Sequence, residues 1–358
     1  MNDPDIRKSC TRSLSYHGFS GPREQLLALA DYAPEDEAAD IYGAGGAVAR
    51  LEERTAALLG KPAARFFIKG MTAQYCALRV HAETRGTDTV AIHPQGHIAS
   101  DEGDGLERVA GLKAVRLGRY QPFEFAALQA VEEKLAAVVV ELPLRRSGYV
   151  LPPLDELRAM SAWCREEGIP LHFDGARLWE AAAGYDVALT ELADLADTLY
   201  VSYYKGLGGL GGAALAGDDA FIRRLAPWKT RFAGNLSTAF PQALSALAGI
   251  DQHLARMPEY VRRARDLAGV LASDGRVIVH PLIPHANSFQ LLLPGTPADL
   301  HQRHAAFARE HGVWLFNAFT ESPIEGRSIA EVVIGAASDT WENGEVARWI
   351  DALLAAGD

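Results

Sequence analysis

Over the first two thirds of the chain, segments in which hydrophobic residues recur at helical spacing alternate with short segments that have the pattern of β-strands. Apolar residues recur at helical spacing over residues 47–59, and Gly60 ends that segment. Residues 137–142 form an almost continuous apolar run, as expected of a strand covered on both faces. The pattern predicts helices at 47–59, 71–81 and 154–167 and strands at 65–68, 89–92, 114–117, 137–142, 170–173 and 198–202.

The spacing changes after about residue 240. Residues 241–272 carry one long helical pattern, and the chain then predicts strands at 276–280, 288–293, 313–316 and 331–334, a helix at 297–311 and a last helix. Alternating strands and helices favour a mostly parallel sheet covered by helices. We therefore predict an α/β fold with a smaller α+β C-terminal domain. The predicted parts are an N-terminal arm at 1–25, a large domain at 26–245 and a small domain at 246–358.

Composition and charge limit the classes of protein to which the chain can belong. Lysine and arginine number 35 against 46 aspartate and glutamate, and no basic block favours a nucleic-acid or membrane partner. No apolar run approaches the roughly 20 residues of a membrane span, and the N-terminus lacks a signal-peptide core. Cys10, Cys76 and Cys164 are too far apart for a disulfide framework or a zinc site. We expect a cytoplasmic protein without a metal site.

The segment IPLHFDGARLW, residues 169–179, ends a predicted strand at a carboxylate. Asp174 and Gly175 follow the apolar residues directly, and Arg177 comes soon after. In open parallel sheets, ligands bind beyond the carboxyl ends of the strands, so Asp174 lies where a site would form. An ordinary strand-to-helix turn would also favour Asp and Gly at these positions, and that alternative stays open.

A second strand leads into the segment LYVSYYKGLGGLGG, residues 199–212. At the strand end, loss of hydration would lower the pKa of the Lys205 amine and make it a nucleophile. The alternative is a solvated lysine beside a flexible loop. The glycines also match G-x-G-x-x-G, but no acidic residue follows about 20 positions on and the next residues have a strand pattern, which argues against a dinucleotide site.

Two further strand ends carry polar residues. In FFIKGMTAQ, a strand meets a helix at Gly70, Met71 and Thr72, and a helix N-terminus can bind phosphate, although ordinary capping also explains Thr72. In HPQGHIASDE, His97 could stack on a planar ligand, although a lone loop histidine is usually only solvated. Together, a phosphate site, a stacking histidine, a carboxylate, an arginine and an amine are the groups that pyridoxal phosphate requires.

These segments resemble the L-threonine aldolase branch of the β-eliminating lyase family over roughly residues 38–240. HFDGARLW is similar to the family's H-x-D-G-A-R-L-W, KGLGG to its S-K-G-L-G, GHIASDE to its H-I-x-x-x-E, GMT to its G-T-M, and DIYGAGGAVARLEERTAALLGK to its D-x-Y-G stretch. Members are pyridoxal-phosphate enzymes of the aspartate-aminotransferase-like fold, called fold type I, and form homodimers or homotetramers. The resemblance implies the same fold, cofactor and assembly here.

The resemblance also implies roles for individual residues. Lys205 would form the Schiff base with the cofactor, Asp174 would face the pyridine nitrogen, and His97 would stack on the ring. Arg177 would contact the ring hydroxyl or the phosphate side. The implied catalytic residues are Lys205, His97 and Asp174, and the implied cofactor contacts are Gly70, Met71, Thr72, His97, Asp174, Arg177, Ser202 and Lys205.

The chain departs from the family at the positions that hold the substrate. The family's E-N-T-H histidine, near the substrate hydroxyl, is replaced by Leu144 or Arg145 in ELPLRR, and its carboxylate-binding arginine by Glu331. Its N-terminal S-D-T is replaced by SYHG, and Tyr204 stands where the family has the serine before the lysine. The remaining candidates for substrate contacts are Ser15, Arg145, Arg146, Arg231 and Arg327.

We therefore predict a lyase that cleaves a β-hydroxy-α-amino acid, such as L-threonine or L-allo-threonine, into glycine and an aldehyde. The replaced substrate positions leave two alternatives open. One is another pyridoxal-phosphate reaction on a different amino acid, such as β-elimination, side-chain exchange, transamination or racemisation. The other is an idle relative that only binds cofactor or a partner, although an idle site would have no need for Asp174, Arg177 and Lys205.

Overall fold

The computed structural model describes residues 4–273 and 275–355 and divides into two compact units. One unit is Leu26–Ala255, and the other combines the N-terminal segment through Gln25 with the C-terminal segment from Arg256. The boundary thus follows Ala255 rather than residue 245. The N-terminal residues, expected to form an arm, belong to the same unit as the C-terminal ones.

The strands are β1 (Arg12–Ser13), β2 (Ala63–Phe67), β3 (Thr89–Ile92), β4 (Lys113–Arg116), β5 (Ala137–Glu141), β6 (Leu171–Gly175), β7 (Thr198–Ser202), β8 (Ala213–Gly217), β9 (Ile278–His280), β10 (Ser288–Pro294), β11 (Val313–Trp314), β12 (Phe319–Glu321) and β13 (Arg327–Val333). The helices are α1 (Pro4–Ser9), α2 (Pro22–Tyr32), α3 (Gly46–Leu59), α4 (Gly70–Arg85), α5 (His97–Ser100), α6 (Gly105–Arg108), α7 (Phe125–Gln129), α8 (Leu154–Glu166), α9 (Leu178–Tyr185), α10 (Leu189–Asp194), α11 (Asp219–Arg231), α12 (Phe240–His253), α13 (Met257–Leu271), α14 (Pro297–His311) and α15 (Asn343–Ala355).

A seven-stranded sheet forms the centre of the 26–255 unit. Its strand order is β2-β8-β7-β6-β5-β3-β4, in which β8 is antiparallel to both neighbours and the other adjacent pairs are parallel. Every residue of β6 and β7 is buried, as expected of strands covered on both faces. The prediction of an α/β fold with a mostly parallel sheet is therefore confirmed.

Helix α4 packs against this sheet and is buried over most of its length. Met71, Tyr75 and Leu78 join one apolar cluster with β3 and β5, whereas Ala77 and Val80 join a second cluster with β7 and β8. Full burial of a side chain such as Leu78 stabilises the fold by about 1.5–3 kcal/mol. Because both clusters hold α4, its N-terminus is fixed beside the end of β2.

The other unit is built mainly on antiparallel strands. The order β12-β13-β10-β9 is antiparallel throughout, and β10 pairs with β13 along the full length of both strands. A separate parallel pair joins β1 to β11, so backbone hydrogen bonds connect the N-terminal segment to this unit. The mixture of an antiparallel sheet with α13, α14 and α15 agrees with the predicted α+β character.

The predicted helix at 241–272 is wrong as a single element. The structure has two helices, α12 and α13, separated by the 3₁₀ turn Leu254–Arg256. Pro258 lies in the first turn of α13 and has no N–H with which to continue α12, which explains the break. At the strands, β11 is shorter than the predicted 313–316 and β13 is longer than the predicted 331–334. The elements without a counterpart in the prediction include helices α2, α9, α10 and α11 and strands β1 and β12.

Candidate active site

Three polar side chains occupy paired positions on the neighbouring strands β5, β6 and β7. Glu141 on β5 is paired with Asp174 on β6, and Asp174 is paired in turn with Tyr200 on β7. Because side chains at paired positions point to the same face, the three groups lie side by side. They lie towards the carboxyl ends of these strands, the edge at which open α/β sheets bind ligands.

Asp174 is a buried carboxylate that receives two hydrogen bonds from neutral donors. Its Oδ2 accepts a bond of 2.8 Å from Nε2 of Gln74, and its Oδ1 accepts one of 3.2 Å from the N–H of Ala176. These bonds fix the orientation of the carboxylate. An ionised carboxyl group has about four acceptor positions, so Asp174 can accept a further bond from a cationic ring nitrogen.

Lys205 follows β7 in the glycine-rich loop, and its side chain is half-buried. It comes after Ser202, the fully buried last residue of β7. Loss of hydration and the positive charge of Arg177 lower the pKa of Lys205 to about 8, although Asp174 and Glu141 act in the opposite direction. A fraction of the amine is therefore unprotonated near neutral pH and can act as a nucleophile. This burial argues against a fully solvated lysine.

The loop after Lys205 approaches helix α9 closely. A Cβ atom at Gly206 would lie 2.1 Å from Oε1 of Glu180, so glycine is needed at this position. Glu180 is itself buried, and burial raises the pKa of its carboxyl group while the charges of Arg177 and Lys205 lower it. Gly206 thus allows the Lys205 loop to approach the buried carboxylate of Glu180 closely.

Helix α4 begins at Gly70, close to the end of β2. A Cβ atom at Gly70 would lie 2.3 Å from the hydroxyl of Tyr200, so a side chain here would displace the ring that stands beside Asp174. The first N–H groups of a helix have no acceptor within the helix. Residues 70–72 therefore present donors that suit an anionic group such as a phosphate.

His97 begins the short helix α5 and is held through both its backbone and its ring. Its N–H donates a 2.6 Å hydrogen bond to Oε2 of Glu141. Its Nδ1 lies 2.8 Å from Oδ2 of Asp101, and its Nε2 lies 2.9 Å from Oε1 of Glu102. Arg146 forms an ion pair with Asp101. Two carboxylates therefore orient the imidazole, and an arginine shares one of them.

Glu141 is a site residue that the sequence analysis did not select. Loss of hydration and the negative charge of Asp174 raise the pKa of Glu141 to about 7. Its carboxyl group lines a small recess whose other walls include Phe123 and Leu144. A charged residue at the end of the apolar run AAVVVE is the sequence signal that could have identified it.

Gln74 is a second residue that the sequence analysis missed. It is fully buried on α4 and lies on the same helical face as Met71 and Leu78, three residues after the first and four before the second. A polar residue on such an apolar face needs a buried partner, which here is Asp174. A polar glutamine at a position of the apolar helix face was therefore the feature of the sequence that could have identified Gln74.

The candidate substrate contacts of the 26–255 unit differ in their surroundings. The positive charge of Arg145 lowers the pKa of Lys205, so this arginine lies within electrostatic reach of the amine. Arg146 forms the ion pair described above. The guanidinium of Arg231 stacks over Trp228, 4.5 Å from the centre of that ring. Among these three candidate arginines, Arg145 is therefore the one whose charge acts on the amine of Lys205.

The two other candidates, Ser15 and Arg327, belong to the unit that contains the chain's C-terminal part. Ser15 is buried there. Nη1 of Arg327 donates hydrogen bonds to the carbonyl oxygens of Arg276 and Leu292, at 2.7 and 2.9 Å. The guanidinium thus supports the main chain of its own unit, and a role for either residue in substrate binding stays a prediction.

Over residues 4–273 and 275–355, no three His, Cys, Asp or Glu side chains are grouped so that they could hold a metal ion. In that part of the chain, no helix is both long enough and apolar enough to cross a membrane. Cys76 and Cys164 are buried, and burial raises the pKa of each thiol to about 12.

The fold and the site define an α/β enzyme of the aspartate-aminotransferase-like class, with a desolvated lysine beside a buried aspartate. A family profile described as beta-eliminating lyase matches residues 24–289, which is more than half of the chain. The chain belongs to the β-eliminating lyase family, whose members depend on pyridoxal phosphate. The family membership predicted from the sequence motifs is thereby confirmed.

Solved structures and curated relatives agree with this family. A putative L-allo-threonine aldolase from Listeria monocytogenes is 31% identical, with 98% of both chains covered and a TM-score of 0.90. A putative aromatic amino acid beta-eliminating lyase/threonine aldolase from Exiguobacterium is 32% identical, with 98% of this chain and 99% of that chain covered and a TM-score of 0.91. The low-specificity L-threonine aldolase of Candida albicans is 28% identical over 68% of this chain and 67% of that protein.

Proposed function

We propose that the protein is a pyridoxal-phosphate-dependent lyase that cleaves a β-hydroxy-α-amino acid of the L-threonine or L-allo-threonine type into glycine and an aldehyde. The observation that carries this proposal is the half-buried amine of Lys205, with its pKa lowered to about 8, beside the buried carboxylate of Asp174. The relatives named as threonine and allo-threonine aldolases support the same substrate class.

The groups at the strand ends fit pyridoxal phosphate chemically. Lys205 would anchor the cofactor covalently, Asp174 would accept a hydrogen bond from its ring nitrogen, and the N–H groups of residues 70–72 would bind its phosphate. His97 would cover a ring face, and Arg177 would contact the ring hydroxyl or the phosphate side. When bound, the cofactor withdraws electrons from Cα of the amino acid, which is the chemistry that a carbon–carbon cleavage requires.

Proton transfers are the part of the reaction that the chain's own side chains would perform. Cleavage of the Cα–Cβ bond needs a group that takes the proton of the β-hydroxyl and a group that returns a proton to Cα. We assign the first task to His97, directly or through a water: Asp101 at Nδ1 would orient the ring, and Nε2 would take the proton in place of its contact with Glu102. We assign the second to the amine of Lys205, whose pKa of about 8 suits exchange near neutral pH.

We assign the substrate carboxylate to Arg145. The family arginine for this task is replaced by Glu331, which cannot attract a carboxylate. The charge of Arg145 reaches Lys205, and the backbone N–H of Arg145 donates a 3.1 Å hydrogen bond to Oε1 of Glu141. A guanidinium held at this point of the chain can form a charge-assisted, bidentate bond with a carboxylate.

Aldehyde release from L-threonine and L-allo-threonine tests the proposed function. The protein saturated with cofactor should produce acetaldehyde and glycine in equal amounts, and the Lys205→Ala variant should not. Keto acid and ammonia without aldehyde would contradict the cleavage reaction and favour β-elimination. A protein that binds the cofactor but shows no spectral change with any amino acid would contradict both reactions.

A different reaction on the same cofactor is the second candidate. Leu144, which stands where the family has a histidine near the substrate hydroxyl, is buried and lines the recess beside Glu141. An apolar wall cannot bind a β-hydroxyl group but suits an apolar β-substituent. Faster turnover of a β-substituted amino acid without a hydroxyl group than of L-threonine would favour this second candidate.

We also propose that the protein assembles as a homodimer or homotetramer. Several large apolar side chains of the 26–255 unit are exposed, among them Leu26, Leu27, Ile41 and Tyr42. Large exposed apolar side chains are a feature of surfaces that a protein partner covers, and an assembly of copies would bury them. Light scattering during gel filtration should give at least twice the 38.6 kDa chain mass, and a monomer mass would contradict the assembly.

A further inference from the structure

One carboxylate connects two loops that come from different strands. Glu141, the last residue of β5, accepts a hydrogen bond from the N–H of His97 with Oε2 and one from the N–H of Arg145 with Oε1. The two distances are 2.6 and 3.1 Å. His97 follows β3, and Arg145 follows β5 itself. Glu141 is also paired with Asp174 on β6, so its position is fixed by the central sheet.

The surrounding chain is shaped for this double contact. A Cβ atom at position 96 would lie 3.4 Å from Oε2 of Glu141 and 3.1 Å from the carbonyl oxygen of His93, and Gly96 avoids that crowding. A carboxylate offers acceptors on both oxygens, whereas a glutamine offers one acceptor and one N–H₂ donor. Glutamine at position 141 would therefore set a donor against one of the two N–H groups and break that bond.

The pKa of Glu141 is set by opposing effects of groups on the neighbouring elements. Asp174 raises the pKa of Glu141, and the positive charge of Lys205 lowers it. The two N–H donors favour the ionised form, whereas loss of hydration disfavours it. The titratable and charged groups that face Glu141 are Asp174 on β6, Lys205 after β7, His97 on α5, Arg145 after β5 and His93 after β3.

We propose that Glu141 is a positioning residue, which holds the loop of His97 and the loop of Arg145 in fixed register with Asp174. This inference rests on the proposed function, in which His97 covers the cofactor ring and Arg145 binds the substrate carboxylate. A single side chain would then connect the cofactor side and the substrate side of the site. Loss of the carboxylate should disturb both sides at once.

The test compares three variants of the full-length protein saturated with pyridoxal phosphate. Glu141→Gln retains one acceptor, and Glu141→Ala removes both. Glu156→Gln is the matched control, because Oε2 of Glu156 accepts a comparable 2.9 Å bond from the N–H of Phe125 on another segment. The measurements are the visible circular dichroism of the bound cofactor, KM and kcat for L-threonine, and the pH profile of kcat.

We expect Glu141→Gln to change the cofactor dichroism, to raise KM about tenfold and to lower kcat about tenfold, as loss of a charge-assisted bond predicts. The limb of the wild-type pH profile near pH 7 should disappear, because the group with the pKa of about 7 is gone. Glu156→Gln should resemble the wild type, and Glu141→Ala should show the larger changes if it folds.

The readouts separate failure of this inference from failure of the proposed function. A wild-type protein that releases no aldehyde would overturn the proposed function, and the cofactor dichroism of Glu141→Gln would still report on the loop of His97. A Glu141→Gln protein with unchanged dichroism, KM and pH profile would overturn the inference. A change in KM alone, with unchanged dichroism, would also overturn it, because only one loop would then depend on Glu141.

Discussion

The strand ends of the 26–255 unit are built in two different ways. At β6 and β7, Asp174, Tyr200 and Ser202 are buried, and Asp174 is held by an amide and a backbone N–H. Beyond β3, His97 and Asp101 are partly exposed and are held by charged partners, including Arg146. The first set depends on burial, and the second depends on ion pairs.

This difference indicates which substitutions each region tolerates. A buried polar group that loses its partner costs about 1–3 kcal/mol, because neither water nor another side chain replaces the bond. A partly exposed ion pair contributes only about 0–1 kcal/mol, because water and salt compensate for its loss. We therefore expect the largest effects at Lys205 and Asp174 and the smallest at the exposed charges.

Lys205→Ala should have the largest effect on turnover. The variant lacks the amine that would anchor the cofactor and return a proton to Cα, so kcat should fall by several orders of magnitude. Aldehyde release under saturating L-threonine measures the loss. The exposed Lys113 provides a control, since Lys113→Ala should retain wild-type turnover. Equal activity in the wild type and Lys205→Ala would contradict the assigned role.

Asp174→Asn should have the next largest effect. The asparagine keeps the size of the side chain and an acceptor for Gln74, but it removes the negative charge beside the ring nitrogen. We expect kcat to fall by about 100-fold or more, and thermal stability to fall as well, because the amide sets a donor against the N–H of Ala176. Asp101→Asn is the comparison from the exposed region and should lower kcat less than about tenfold. The reverse order would contradict the contrast between the two regions.

Arg145→Ala should raise KM more than Arg146→Ala does. A charge-assisted bond to the substrate carboxylate is worth about 1.5–3 kcal/mol, which corresponds to a 10- to 100-fold rise in KM. Arg146 instead contacts Asp101, so its removal should change KM only slightly. Steady-state kinetics on both variants measures the difference. A larger rise in KM for Arg146→Ala would transfer the carboxylate role to the neighbouring arginine.

Acid should weaken the buried region before it affects the ion pairs. Nδ1 of His172 on β6 and Nε2 of His81 on α4 lie 2.9 and 2.8 Å from Oγ1 of Thr198, and burial lowers the pKa of His172 to about 4. The unfolded chain binds a proton near pH 6.5 and the folded chain does not, so stability is full above about pH 6.5 and falls as the pH approaches 4. The pKa of Asp101 is about 2, so its ion pairs persist through this range.

Urea unfolding at several pH values measures this loss. Between neutral pH and about pH 5.5, His172 alone should remove about 1.2 kcal/mol of the free energy of unfolding. The variant His172→Asn, whose amide can reach the hydroxyl of Thr198, should lose less stability over the same range. Parallel curves for the two proteins would exclude His172 as the acid-sensitive group.

Local patterns in the sequence predicted most of the elements that carry the site. The apolar runs ending at Asp174 and before Lys205 are β6 and β7, and the predicted helix after Gly70 is α4. Periodicity and strand-ending residues are properties of short segments, so they can be read without tertiary information. The break between α12 and α13 was also readable, because Pro258 lies inside the predicted helix.

Other features of the site depend on residues far apart in the chain. The partner of Asp174 is Gln74, 100 residues earlier, and the partner of Glu141 is His97, 44 residues earlier. A polar residue on an apolar helix face indicates that a buried hydrogen-bond partner is needed, but the local sequence does not identify that partner. The choice of Arg145 over Arg231 as the candidate for the substrate carboxylate depends in the same way on residues far apart in the chain.

The sequence by itself determined the alternation of strands and helices, the family, and the lysine and aspartate at two strand ends. Only the tertiary structure decided that Glu141 joins two loops and that the pKa of Lys205 is about 8. The physical reason is that a pKa and a hydrogen bond depend on burial and on charges from every neighbouring element. Those neighbours are brought together by the order of strands in the sheet.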